Sequence, residues 1–368
     1  MTTAFERRTR DCQAALRDAG ADAVVLFPGS NMVYLSGFRE APNERHLLLF
    51  VPAQGEPAFV APTMYREQLD TWVADRRLWD DGEDPLTLIE AVAEDLDIAG
   101  GTVLVDDHMW ATFTQDLRAT LPDAEFGLAS DVLAPLRMRK DESELEALRR
   151  AGALADAVSE ELRGLGDEAV GRTESALARE IDRRMADRGA AEPSFDTIVA
   201  AGENGAKPHH RHGDREIGAG DPVVLDFGGS VDGYPGDQTR TTVFAGDPPE
   251  GFEDVFEVVL AAHHAGVEAV EPGVPAEAVD AAAREVVADA GYGEQFVHRT
   301  GHGVGLEVHE PPYIVEGNER ELEPGMVFSV EPGVYLPGEF GVRIEDLVAV
   351  TDDGHERLND SPRTWRPL

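Results

Sequence analysis

The chain has 368 residues, 42% of them apolar, with 72 acidic against 32 basic side chains and a formal charge of −40. That length predicts two or three domains of roughly 100–200 residues each. The apolar content excludes a disordered chain, and the charge excludes a nucleic-acid backbone or an anionic membrane as the main partner, because both attract basic surfaces.

No apolar run approaches the ~20 residues that cross a bilayer. The opening MTTAFERRTRDCQAAL has no apolar core or small-residue cleavage site of a signal peptide. Cys12 is the one cysteine and cannot form an internal disulfide. A cytoplasmic protein is the expectation.

The first third alternates strand and helix signals. Residues 7–19 have helical spacing, with Phe5, Cys12, Leu16 and Ala19 able to share a face. AVVLF at 23–27, LLLFV at 47–51 and TVLVD at 102–106 read as short buried strands, and 64–77 and 85–95 as helices between them. An α/β domain over residues 1–135 is expected. LAPLRMRK at 133–140, with Pro135, reads as a linker to a second domain over 136–368.

A long helix is expected from Asp141, where DESE is a capping box with Glu144 reaching back to the N-cap. A second runs from Thr173 to about Arg188, with Gly189 placed to cap it. FDTIVA at 195–200 returns to strand. Two further helices are expected near 252–270 and 276–290. His263 and His264 lie in the first of them and are read as surface residues.

The C-terminal domain contains an internal echo. GDPVVLDFG at 220–228 and GMVFSVEPG at 325–333 share one frame, so that Asp226 matches Glu331 and Gly228 matches Gly333. Each is an apolar strand ending in an acid, followed by a second strand carrying another: Asp237 before QTRTTVF, and Glu345 within GVRIEDLVAV. Two related hairpins suggest a pseudo-twofold domain with its acids converging at the centre.

Four converging carboxylates on buried strands are strongly penalised unless a cation neutralises them. FVHRTGHGVGLEVHEPPY at 296–313 adds His298, His302 and His309 within twelve residues. If part of this segment is strand, His302 and His309 face opposite ways, and a bulge at Gly303–Gly305 would bring them round. An oxygen-rich set with one imidazole favours Mn²⁺, Co²⁺, Fe²⁺ or Zn²⁺ over a thiolate zinc site. Four acids exceed the need of one ion, so two ions about 3.5–4 Å apart, which would make hydroxide available at neutral pH, are expected.

YPGDQTRT at 234–241, HRTGHGVGLEVHEPP at 298–312, MVFSVEPGVY at 326–335 and GVRIED at 341–346 resemble the pita-bread metallopeptidases, and most of all the Xaa-Pro dipeptidases (prolidases) and Xaa-Pro aminopeptidases. NMVYLSGF at 31–38 and LRMRKDESELEALRRA at 136–151 resemble that family's N-terminal domain, of the creatinase type, and its linker helix.

The resemblance implies an α+β catalytic domain, a homodimer, short proline-containing peptides as substrates and two divalent ions, manganese first among them. It places Asp226, Asp237, His302, Glu331 and Glu345 on the metal-ligand positions. Glu331 also falls on the proton-handling position, His309 and His298 on positions that contact substrate and the developing oxyanion, and His209 on a substrate-site histidine, with His210 and His212 as neighbours that a one-residue shift could substitute. Arg343 is expected to fix the carboxylates. Related metal-free amidinohydrolases and non-catalytic binding modules do not keep the five ligands, which are all present here.

One departure concerns substrate length. Many prolidases hold the dipeptide's carboxylate with an arginine after the VHE histidine; here Tyr313 stands near that place and Arg320 lies further on. Residue types therefore leave dipeptidase and aminopeptidase both open, with the dipeptidase preferred.

Of the 32 basic residues only Lys140 and Lys207 are lysines. A GC-rich genome favours arginine but does not by itself produce −40. So acidic a chain repels itself at low salt, whereas at about 1 M salt the Debye length is about 3 Å and the repulsion is screened. A halophilic archaeon is the expected source. Thermal melts are expected to rise from low salt to molar KCl; full stability at low salt with unfolding in molar salt would refute the reading.

Overall fold

In the computed structural model, which describes residues 3–367, Ala23–Leu26 (β1) is the central strand of a six-stranded mixed sheet. The others are β2 (Leu48–Pro52), β3 (Ala58–Pro62), β4 (Asp75–Trp79), β5 (Thr102–Val105) and β6 (Glu125–Leu128), in spatial order β4-β3-β2-β1-β5-β6. β1 pairs antiparallel with β2 and parallel with β5. Helices α1 (Ala4–Ala19), α2 (Ser30–Ser36), α3 (Pro85–Asp95) and α4 (Ala111–Thr120) complete the layer structure. Ile89 and Val92 of α3 and Phe113 and Leu117 of α4 pack with Val25, Val60 and Val103 of the sheet. Cys12 is buried on the inner face of α1, and burial pushes its thiol up to about 12, so it is an inert packing group.

One expectation fails here. Residues 64–77 are not helical: a 3₁₀ turn at Thr63–Tyr65 leads through irregular chain into edge strand β4. Leu69, Trp72 and Val73 mimic helical spacing, but long-range bonds override it. Trp72 Nε1 donates to Leu35 O at 2.9 Å and Thr71 Oγ1 to Ser36 O at 2.8 Å. The stretch 133–140, read as the linker, contains the boundary between the two units and is largely helical: Ser130–Met138 forms helix α5 with Pro135 inside it. Asp107 accepts from both Ser130 N and Ser130 Oγ at the helix start, and Val132 and Leu133 are buried. These outweigh the single hydrogen bond that proline removes.

Tertiary contacts divide the chain into the units Met1–Arg137 and Met138–Leu368. The second begins with α6 (Glu142–Arg163), whose capping box forms: Asp141 Oδ1 accepts from Ser143 N and Glu144 N, and Glu144 accepts from Asp141 N at 3.0 Å. Then come α7 (Glu174–Asp187), β7 (Ile198–Ala201), β8 (Pro222–Phe227), the short hairpin β9 (Ser230–Val231) and β10 (Tyr234–Pro235), and β11 (Gln238–Val243). Gly189, at φ +97°, lies just beyond α7 as expected of a helix-terminating glycine.

A similar order, with two added strands, recurs in the second half. Helices α8 (Phe252–Glu268) and α9 (Ala276–Asp289) precede β12 (Gly301–Gly303), β13 (Glu310–Ile314), β14 (Val327–Val330), the hairpin β15 (Gly333–Leu336) and β16 (Phe340–Arg343), β17 (Asp346–Thr351) and β18 (Gly354–Arg357). The sheets run β11-β8-β7 and β13-β12-β14-β17-β18, antiparallel throughout. The echo is thus structural: helix pair, strands, small hairpin and strand in both halves, with one more strand before the hairpin and one more after it in the second.

Strand alternation decides which residues face the helices. Val223, Leu225 and Phe227 of β8 pack with Leu154, Val158, Leu177 and Ile181 of α6 and α7. Asp226, one residue out of phase, points to the other face. In β14 Phe328 and Val330 pack with Val267 and Val279, so Ser329 and then Glu331 take the opposite face. His263 corrects a further expectation. It is fully buried, on the α8 stripe with Val255, Val259 and Ala262, and its Nε2 lies 3.1 Å from Asp346 Oδ2, an ion-pair distance without hydrogen-bond alignment. His264 is exposed.

Gly228 marks where the first hairpin must close tightly. A Cβ there would lie 1.8 Å from Gly236 O and 3.0 Å from Asp237 N, both backbone atoms. Gly228→Ala is therefore expected to destabilise the unit by about 1–3 kcal/mol through overpacking and to displace Asp237, read as a lowered denaturation midpoint together with weaker binding of added Mn²⁺.

Candidate metal centre and cavity

Asp226, Asp237, His302, Glu331 and Glu345 meet at one end of a cavity of about 280 Å³ in the second unit. The first hairpin supplies Asp226 from within β8 and Asp237 at the entry to β11; the second supplies Glu331 just past β14 and Glu345 just before β17. Ligand atoms of Asp237, His302 and Glu345 lie within 4.8 Å of one another. His302 Nε2 is 3.3 Å from Glu331 Oε1 and 3.7 Å from Asp237 Oδ2. Its Nδ1 donates to Gly303 O at 3.3 Å, which leaves the Nε2 lone pair facing the carboxylates.

The five groups are buried or nearly so, and the protonation of Asp237, His302, Glu331 and Glu345 reflects it. Burial, then the charges of Asp226 and Glu331, holds the Asp237 carboxyl well above its usual range. Burial, then Asp237, does the same for Glu345. Burial raises Glu331 to about 7 and lowers His302 to about 3. Asp226 Oδ1 is buried without a hydrogen-bond partner. An orphaned carboxylate oxygen, a free imidazole lone pair and three crowded acids fit divalent cations, which neutralise the acids and take up both orphan acceptors.

Arg343 is the buried cation among them. Its Nη2 donates to Asp226 Oδ2 at 2.6 Å, Nε to Thr239 Oγ1 at 3.1 Å, and Nη1 to Tyr335 OH at 2.8 Å and to Pro208 O at 3.3 Å. Thr239, directly opposite Asp226 in the β8–β11 register, in turn donates to Glu345 Oε2 at 2.6 Å. Although burial disfavours its charge, Tyr335, Asp226, Glu331 and Glu345 hold Arg343 protonated.

The histidines divide into those facing the cavity and those spent elsewhere. The β12–β13 register shifts between His302 and Gly303, and the His302 and His309 rings stand edge to face at 4.2 Å, so the expected bulge brings them together. His298 lines the cavity with both nitrogens engaged: Nδ1 donates to Arg299 O at 2.7 Å and Nε2 accepts from Tyr335 OH at 2.8 Å. Burial, then Arg343, lowers it to about 4, so the ring is neutral. His210 also lines the cavity but is held by the buried Glu174 at 2.8 Å, and His212 is held by Ser175 at 3.0 Å. His209 lines the cavity beside Pro208, the residue whose carbonyl Arg343 holds. Phe195, Ile198 and Val308 supply apolar wall.

Sequence reasoning assigned no role to Tyr335, Thr239 or Ser329. Tyr335 stands in the quoted MVFSVEPGVY, but nothing local shows that it bridges Arg343 and His298. Ser329 accepts from His302 N at 3.0 Å and donates to Glu331 Oε1 at 3.1 Å; its two-residue spacing from Glu331 was the available signal. Tyr335→Phe removes one oxygen that serves a guanidinium and an imidazole. It is expected to cost about 1–3 kcal/mol, measured by denaturant unfolding in molar KCl, with a loss of activity greater than any loss of bound metal.

Residues 146–352 match the model of metallopeptidase family M24, and residues 8–139 that of the creatinase/prolidase N-terminal domain. The chain is 44% identical over 364 residues to the probable dipeptidase PepE of Mycobacterium tuberculosis, covering 97% of this chain and 95% of that one. It is 37% identical over 360 residues to the Xaa-Pro dipeptidase of Lactobacillus delbrueckii subsp. lactis, covering 96% of each. The crystal structure of a prolidase from Thermococcus sibiricus superposes with a TM-score of 0.95 at 38% identity, covering 100% of both chains. Among the described residues no helix is long and apolar enough to cross a membrane. The α/β first unit and the twice-repeated second unit are accordingly a creatinase-type N-terminal domain and a pita-bread catalytic domain, and the chain belongs to metallopeptidase family M24.

Proposed function

We propose that this protein is a two-metal peptidase that cleaves the bond between an N-terminal residue and proline, acting on Xaa-Pro dipeptides in preference to longer peptides. One observation carries the reading: Asp237, His302 and Glu345 converge within 4.8 Å, beside Asp226 and Glu331, in a cavity with an apolar wall. Dipeptidase relatives along nearly the full chain support it.

Asp226, Asp237, His302, Glu331 and Glu345 would hold the two ions, Mn²⁺ first, with Co²⁺, Zn²⁺ or Fe²⁺ as alternatives. Bound there, divalent ions supply a polarised carbonyl and a water acidified to near neutrality. The protein's own groups do the rest. Glu331 takes a proton from the attacking water and returns it to the leaving nitrogen. His309 donates to the oxygen on which negative charge develops, a role favoured over His298 because both His298 nitrogens are engaged. His298 then acts through Tyr335, keeping the phenol and Arg343 in place. His209 contacts the substrate from the rim.

Selection of proline follows from shape. A tertiary amide nitrogen carries no hydrogen to satisfy, so Phe195, Ile198, Pro208 and Val308 need offer only an apolar surface to the ring. A cavity of about 280 Å³ is at the small end of ligand sites, roughly 300–1,000 Å³, which suits a dipeptide. In the cell the enzyme would work as a homodimer in the cytoplasm of a halophilic archaeon; the charge of −40 supports the saline part of that setting.

The deciding experiment offers a Xaa-Pro dipeptide and a Xaa-Pro tripeptide in molar KCl with Mn²⁺, beside a chelated control. Dipeptide cleavage that chelator abolishes and Mn²⁺ or Co²⁺ restores is expected, with the tripeptide slower. Asp237→Asn is expected to remove activity while the chain stays folded. An active Asp237→Asn enzyme with unchanged metal content would refute the ligand assignment, and a preference for the tripeptide would make the enzyme an aminopeptidase.

A further inference from the structure

A dipeptide ends in a carboxylate, and the cavity is already lined by five acids, Asp196, Asp226, Asp237, Glu331 and Glu345. In a chain of charge −40, such a substrate is repelled unless a cation meets its far end. Three arginines line the cavity: Arg211, Arg299 and Arg343. Arg343 is committed to Asp226, Thr239, Tyr335 and Pro208. Arg211 is exposed, on an irregular segment, and among the described residues no hydrogen bond or ion pair fixes its side chain.

Arg299 is fixed and yet uncommitted. Its guanidinium carbon stands 4.3 Å from the centroid of the Tyr313 ring, stacked on its face. Tyr313 is set directly opposite His302 in the β12–β13 register, so the platform is tied to the same strand pair that carries the metal-facing imidazole. The backbone on both sides of Arg299 is clamped. His298 O accepts from Arg284 Nη2 at 2.7 Å, and Thr300 N is held by Asp280 Oδ1 at 3.1 Å and by Ile314 O at 3.0 Å. Asp280 is itself gripped by Arg284 through two contacts of 3.0 Å. Among the described residues the Arg299 guanidinium has no carboxylate partner. It faces the cavity near enough for its charge to act on His302, His309 and Glu331.

We infer that Arg299, stacked on Tyr313, binds the substrate's C-terminal carboxylate and so restricts the enzyme to peptides that end at the proline. Its fork of N–H donors matches a carboxylate in a bidentate pair. Because ring stacking and the clamped backbone hold it beforehand, little ordering cost remains on binding. Tyr313, which stands where many prolidases carry an arginine, then serves as the support for a cation that arrives from the other side of the strand pair. This inference rests on the Xaa-Pro reading above.

The test measures kcat/KM for Ala-Pro and for Ala-Pro amide, with the Mn²⁺-loaded enzyme in molar KCl. The wild type is expected to prefer the free acid. Arg299→Met is expected to lower kcat/KM for the acid about 10- to 100-fold, the worth of a hydrogen bond to a charged group, chiefly through KM. The amide should change by less than about threefold, since it offers no carboxylate to lose. Arg211→Met is expected to leave the acid-to-amide ratio unchanged. Should Arg299→Met fail to fold, judged by its thermal melt, Arg299→Gln keeps a polar side chain without the charge and must show the same loss of acid preference. Equal losses on acid and amide, or a ratio that collapses in Arg211→Met instead, would overturn the assignment while leaving the peptidase reading intact. A wild type that cleaves neither substrate would overturn both.

Discussion

Four carboxylates held together with little exposure repel one another, and most of the second unit is arranged to keep them there. Asp226 and Glu331 come from strands whose other face packs on helices, so neither can retreat without unpacking a core. The restraint is finest at Glu345. Its N–H is held by Thr239 O at 3.1 Å, its carbonyl by Arg240 Nη1 at 2.6 Å, and its carboxylate by Thr239 Oγ1. The next residue, Asp346, is gripped by Arg240 and Arg363. Arg343 meets the repulsion directly through Asp226. With a single buried guanidinium against four acids, the residual penalty appears as raised carboxyl pKa values, and divalent ions are what would relieve it.

The pseudo-twofold repeat is a solution to that geometry. A strand that ends in an acid, a tight hairpin, and a second strand that begins with another acid deliver two carboxylates to one point. Two copies deliver four. The glycine pair Gly228 and Gly236 permits the close return in the first copy, where a Cβ at Gly228 would strike backbone. In the second copy the corresponding Gly333 lies under the Tyr335 ring, so the same position makes room for the phenol that links Arg343 to His298. One repeat is thus specialised for packing and the other for orienting cavity groups.

The repeat was legible in the amino-acid sequence because its signals are local: apolar runs, a shared frame of glycines and acids, a capping box at Asp141. So was the meeting of His302 with His309, which needed only the glycines between them. The failures are all non-local. His263 looked like a polar surface residue because its partner, Asp346, lies more than eighty residues away. The stretch 64–77 has helical spacing, but Trp72 and Thr71 are bound to the end of α2. Of the histidines in HHRH, the resemblance put His209 first and left a one-residue shift open; the bonds of His210 to Glu174 and of His212 to Ser175, both far off in sequence, distinguish them from His209.

Charge is spent unevenly in this molecule. Acids dominate its composition, yet buried cations hold acids of the second unit in place: Arg343 on Asp226, Arg240 on Asp346 and the Glu345 carbonyl, and Lys140 against Glu310 at 2.8 Å, on the strand after the histidine loop. Arginine fills the positions that need several fixed bonds at once, which a planar fork supplies and an ammonium does not. Arg299 belongs to the same pattern with one difference, that its fork is held in place and left unused. In a cavity this acidic an uncommitted cation attracts any anion that fits, so the arrangement discriminates only if the anion must also present a proline amide to the metal-facing groups. A dipeptide satisfies both requirements at once. A longer peptide carries a neutral amide where the carboxylate would be and forfeits the charge pairing, so chain length is read by electrostatics rather than by a steric wall.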